Sequence, residues 1–166
     1  MRSTSTAALS VFAVALSSMS ARADDPSTVS VEDAASGCAF LNAPIKTTLY
    51  VEGCTSVICT AGTIDSGMLA GSTQFTLLTL GLGDLPGQLV YSGQLVITAA
   101  GGALTINDSG ALNPDGTYFE IDPIVSGTGD FVNAAGTLFS SGTRTPTGFD
   151  GTIAGRICLL PIEQTN

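Results

Sequence analysis

From residue 47 onward the chain sets short runs of β-branched and apolar residues between glycine-containing breaks, and no segment sustains a helical period. The runs predict strands over 47–52, 59–68, 73–82, 88–99, 103–109, 117–125, 129–132, 137–143 and 149–160. Ala99-Ala100-Gly101-Gly102, Asn113-Pro114-Asp115-Gly116 and Thr145-Pro146-Thr147-Gly148 have the chemistry of tight hairpin turns. Consecutive short hairpins make a meander. About eight strands with no helix to cover a face call for a sandwich or a closed barrel, and closure removes the exposed edges. The expected fold is all-β, with residues 47–166 forming one barrel domain behind an aperiodic N-terminal arm over 24–46.

Alternation along each strand assigns side chains to faces. In the last run Phe149, Gly151, Ile153, Gly155, Ile157 and Leu159 form the inward row. Leu89, Tyr91, Gly93, Leu95 and Ile97 form another, which puts the Tyr91 ring inside with its hydroxyl as a polar handle. In 117–125, Tyr118, Glu120 and Asp122 share one face and Phe119 and Ile121 the other. Hydrophobicity favours Phe119 and Ile121 as the inner pair and leaves the two carboxylates in solvent. The segment Phe75 to Leu80 is apolar on both faces, which suits a strand with a neighbour or an oligomer partner outside it.

The first residues add a compartment. Arg2, an apolar run from Ala7 to Leu16 and Ala21-Arg22-Ala23 fit a signal peptide over 1–23; the run is too short to cross a bilayer, so no membrane anchor is expected. Cleavage there leaves Lys46, Arg144 and Arg156 against fourteen acids, a net charge of −11 that argues against nucleic acid or an anionic membrane as partner. The expected location is extracellular or periplasmic. Four cysteines in an exported chain without histidine point to disulfides rather than to metal, and neither a metal nor another cofactor is expected.

Val125-Ser126-Gly127-Thr128-Gly129-Asp130-Phe131, with Ala134 and Gly136 after it and Glu120 and Pro123 before it, resembles the Gly-Thr-Gly-x-Phe-x-x-Ala-x-Gly signature of allene oxide cyclases and plant dirigent proteins. The match runs through residues 120–158. The resemblance implies an eight-stranded antiparallel up-and-down barrel, calycin-like in form, with a cavity for a small apolar molecule. It also implies a homodimer or homotrimer and, as chemistry, a cyclisation or isomerisation. Dirigent proteins commonly carry arginines where this chain has Val132 and Ala135, which weakens any inference to radical coupling. The motif also has a backbone reading: Gly127 and Gly129 permit a sharp bend and Phe131 plugs the interior.

Without histidine, Ser-His and Cys-His nucleophiles are excluded, and no serine sits in a Gly-x-Ser-x-Gly elbow. Chemistry then falls to carboxylates and tyrosines. The catalytic candidates are Tyr91, Asp65, beside Ile64 and Met68 in its strand, and Glu120, whose carboxyl would gain an acid–base role if it faced an apolar interior. Tyr91, Phe131 and Ile153 are the ligand-binding candidates. A non-catalytic carrier and a structural or surface-interaction protein on the same barrel are the alternatives. For the disulfides, a barrel running from Cys59 to Leu160 sets Cys59 beside Cys158 on the closing seam, with Cys38 tied to Cys54; the rival pairing joins Cys54 to Cys59 and Cys38 to Cys158.

Overall fold

The computed structural model describes residues 37–159; the leader read over 1–23 and the arm before residue 37 lie outside the described residues. Eight strands follow one another around a closed antiparallel barrel: β1 (Cys38–Tyr50), β2 (Cys59–Ile64), β3 (Gly71–Leu82), β4 (Leu89–Ala99), β5 (Gly102–Leu112), β6 (Thr117–Gly127), β7 (Ala134–Arg144) and β8 (Gly148–Leu159). Each strand pairs with its sequence neighbour, and β8 closes on β1 from Cys38↔Cys158 to Thr48↔Gly148. Closure leaves no strand of the barrel without a partner on each side, although the short β2 pairs only Ile45–Tyr50 of β1 and Gly71–Thr76 of β3.

The first strand begins earlier than the sequence pattern suggests. Residues 38–46, read as part of the arm, form most of β1, with Leu41, Ala43 and Ile45 buried and Asn42, Pro44 and Lys46 exposed. Pro44 hid this alternation, since proline lacks a ladder donor. Its carbonyl accepts from Asp65 N (3.3 Å) on the β2 side, where the β1–β2 ladder has already ended at Ile45↔Ile64, so the missing N–H on that same side breaks no strand pairing. Residues 129–132, read as a strand, hold instead a single 3-10 turn over Gly129–Phe131.

That turn closes one end of the barrel. Gly129 takes φ +60° against the Gly101 carbonyl, a conformation and a closeness that a side chain would prevent. The bend swings Phe131 into the interior, where with Leu69 it caps a core of Leu41, Ala43, Ile45, Ile64, Leu95, Ile97, Leu104, Ile106, Leu138, Ile153 and Ile157. Burial of each of these large aliphatic side chains contributes about 1.5–3 kcal/mol. The plug expected of Phe131 is therefore present, and the inward rows expected on β4 and β8 are the ones observed.

The two-faced apolar run in β3 resolves into a bulge. Register shifts between Leu77 and Thr79, so that Leu77 pairs with Gly93 and Leu80 with Tyr91. Leu77 and Leu80 thus both reach the interior while Leu78 is left outside.

The disulfides are Cys38–Cys158 and Cys54–Cys59. The pairing drawn from Cys59 as the start of the barrel, Cys59 with Cys158 and Cys38 with Cys54, is corrected. A cysteine clasp does lie on the closing seam, but the strand beside β8 is β1, and the residue opposite Cys158 is Cys38. Cys54–Cys59 staples the β1–β2 loop at the other rim.

Candidate functional site

The interior has two halves. Below lies the plugged aliphatic core; above it a cavity of about 90 Å³ opens toward the rim carrying the loops 51–58, 83–88, 113–116 and 145–147. Ile45, Ile58, Leu77, Leu80, Leu89 and Leu112 make most of its wall, and Tyr91, Asp108 and Glu120 supply polar groups.

Strand register explains why those groups meet. Tyr91 on β4 and Glu120 on β6 flank the same residue of β5, Gly110. A Cβ at Gly110 would stand 2.7 Å from Glu120 Cγ and 3.1 Å from the Tyr91 hydroxyl oxygen, so the two side chains meet across a gap that glycine alone leaves open. Tyr91 Oη donates to Glu120 Oε1 at 2.6 Å. Deeper in, the β5–β6 register runs from Ser109↔Ile121 to Ile106↔Ile124, which brings Asp108 level with Asp122. Ser140 on β7 donates to Asp122 Oδ2 at 2.7 Å.

Aromatic rings flank the acids. Phe75 meets Tyr91 edge to face at 6.3 Å between centroids, and Tyr118 meets Phe149 at 5.5 Å; all four rings line the cavity. Phe75 lies over Gly93 and the Tyr118 hydroxyl over Gly151, positions where a side chain would collide with them.

Three carboxyls in one barrel interior are electrostatically costly. Asp108 is 3% exposed and Asp122 0%, and Oδ1 of each is buried without a hydrogen-bond partner. The basic residues among those described, Lys46, Arg144 and Arg156, are all exposed on the outside. Burial, reinforced by the charges of Glu120 and Asp122, pushes Asp108 up to about 9. Burial raises Glu120 to about 7 against the opposing Tyr91 hydrogen bond, and raises Asp122 to about 6 against that from Ser140. Burial also pushes both tyrosines above the ordinary phenol range, with the Glu120 charge as the next cause for each. Asp108 therefore keeps its proton at neutral pH, while Asp122 has largely lost its own.

One donor atom from each of Asp108, Glu120 and Asp122 can be chosen so that all lie within 4.8 Å of one another. Opposite oxygens around a Ca²⁺-sized ion bonded at about 2.4 Å would be that far apart, so the three fit a hard cation of that class by span. They supply three of the six to eight oxygens such an ion takes.

Of the sequence candidates, Tyr91 and Glu120 are brought together. The assignment of Glu120 and Asp122 to solvent is corrected: Phe119 and Ile121 are the outward pair, 51% and 46% exposed, because Gly110 and Gly151 leave space inside for Glu120 and the Tyr118 hydroxyl. Asp65 lies outside, exposed just past β2, where it accepts from Thr63 Oγ1 at 3.1 Å. Phe131 and Ile153 belong to the aliphatic core and do not line the cavity. Asp108 and Ser140 were missed. Asp108 was legible: it continues the row Leu104, Ile106, while Asn107 and Ser109 face out.

No family model matches this chain, and no curated protein matches it; the likeness to allene oxide cyclases and dirigent proteins rests on the motif within residues 120–158.

Proposed function

We propose that this is an exported barrel that takes up a small, largely apolar molecule through its open rim and holds the molecule's polar end at Tyr91, Asp108 and Glu120. The observation that carries the reading is the Tyr91–Glu120 pair standing at the floor of an apolar-walled cavity. A site that is mostly apolar with a few convergent polar groups is the usual form of a small-molecule pocket. Two disulfides support an oxidising compartment.

The same floor suits proton transfer. A carboxyl held near neutrality can act as acid or base on a molecule pinned above it, and the confined wall favours one folded shape of that molecule. Cyclisation or isomerisation is the class of reaction these two effects serve.

Fluorescence titration with 2-naphthol, a neutral apolar probe, tests the binding. One saturable site is expected, and Leu112→Trp, which fills the mouth from the end of β5, should abolish it. Absence of binding to the native protein, or undiminished binding to a folded Leu112→Trp, contradicts the reading. Turnover by the native protein that vanishes in Glu120→Gln while binding persists separates an enzyme from a carrier.

A further inference from the structure

We infer that the molecule this cavity is built to hold carries a positive charge: an organic ammonium, a protonated amine on a small apolar or aromatic body, seated against Asp108 and Glu120 between the aromatic rings. The inference rests on the cavity reading above and names the chemistry of its ligand.

The first observation is unmet valence. Asp108 is buried, lines the cavity, and has an oxygen with no hydrogen-bond donor; Asp122 behind it has another. Buried carboxylate oxygens are ordinarily satisfied, so the orphaned oxygen of Asp108, on a residue that lines the cavity, marks the place of a donor that arrives from outside. No lysine or arginine among the described residues reaches the interior to serve. An ammonium brings up to three N–H donors and one positive charge.

The second observation is the wall. Phe75, Tyr91, Tyr118 and Phe149 all line the space above the acids. Aromatic ring faces beside a carboxylate are the recognition chemistry of ammonium groups, the rings attracting the cation and the aliphatic residues covering its body. A bare metal ion finds less here. It takes six to eight oxygens, and beyond the three carboxyls the nearby side-chain oxygens are the hydroxyls of Tyr91, Tyr118 and Ser140, neutral groups that are poorer ligands for such an ion than carboxylates. An anionic ligand is disfavoured outright by three acids with no cation beside them.

Calorimetry with three matched probes tests this: 2-phenylethylamine, 2-phenylethanol and 3-phenylpropionate. A charge-assisted contact is worth about 1.5–3 kcal/mol, so the amine should bind about 10- to 150-fold more tightly than the alcohol, and the carboxylate most weakly. The groups facing the ammonium are Tyr91 from β4, Asp108 from β5, and Tyr118 and Glu120 from β6, with Asp122 of β6 and its donor Ser140 of β7 behind them. Because the acids must give up protons to receive it, amine affinity should rise from about pH 6 to about pH 9 while alcohol affinity stays level. Asp108→Asn and Glu120→Gln should each weaken the amine and spare the alcohol.

Equal affinity of amine and alcohol, with no pH dependence in the native protein, overturns the inference and leaves the cavity reading intact. Failure of all three probes and of 2-naphthol overturns both. Displacement of the amine by sub-millimolar Ca²⁺ that itself stabilises the protein assigns the carboxyls to a metal and also overturns it.

Discussion

Raising the pH should destabilise the ligand-free protein. In the folded state Asp122 is raised from 3.8 to about 6 by burial, so between those values the native protein binds a proton that the unfolded chain has lost. Stability is then greatest below the unfolded pKa and declines as pH rises through the folded one. Each unit of offset corresponds to about 1.4 kcal/mol, so Asp122 alone removes about 3 kcal/mol by pH 7. That is about a fifth or more of the stability of an ordinary domain. Glu120 and Asp108, raised to about 7 and about 9, act in the same sense and carry the decline into the alkaline range. Asp115 works oppositely, since hydrogen bonds from Thr117 lower it, but only below the ordinary carboxylate range. Urea unfolding of the disulfide-intact protein at pH 5, 6, 7, 8 and 9 should show a midpoint that falls throughout, and Asp122→Asn should flatten the acid end of that curve. A midpoint that is level or rising from pH 5 to 8 would refute the placement of these carboxyls inside the barrel.

Gly110→Ala forces a methyl between Tyr91, Glu120 and the Phe119 carbonyl, and should cost about 1–3 kcal/mol in denaturant unfolding while weakening 2-naphthol binding. Non-reducing peptide mapping should yield Cys38 joined to Cys158 and Cys54 joined to Cys59. Loop-closure entropy makes the first bond worth about 5 kcal/mol and the second about 2, so the Cys38→Ser, Cys158→Ser pair should lower the urea midpoint more than Cys54→Ser, Cys59→Ser. Phe131→Ala should cost about 3–5 kcal/mol and leave 2-naphthol affinity unchanged in the folded fraction, because Phe131 closes the opposite end.

Alternation and turn chemistry made the barrel readable from the sequence, because each hairpin is a local object whose signals lie within a dozen residues. What escaped was set by partners distant in the chain. Pro44 is acceptable in β1 only because β2 ends beside it, and the seam partner of Cys158 depends on where β1 begins. The face of Glu120 could not be settled by its own strand, where Phe119 and Ile121 compete as apolar neighbours. It is decided by Gly110 and Gly151 across the sheet, which admit the Tyr91–Glu120 contact and the Tyr118 hydroxyl inside. Tyr91 was readable since its whole row is apolar. Asp108 stands in an equally plain row with Leu104 and Ile106, masked by its polar neighbours Asn107 and Ser109.

Native mass spectrometry of the protein isolated without denaturation tests the central claim most directly, namely that the open half of the barrel is a small-molecule site. The account predicts a one-to-one adduct of low mass that is released on unfolding and is missing from Leu112→Trp. A native protein that carries no adduct and gains none on exposure to neutral or cationic apolar molecules would contradict it.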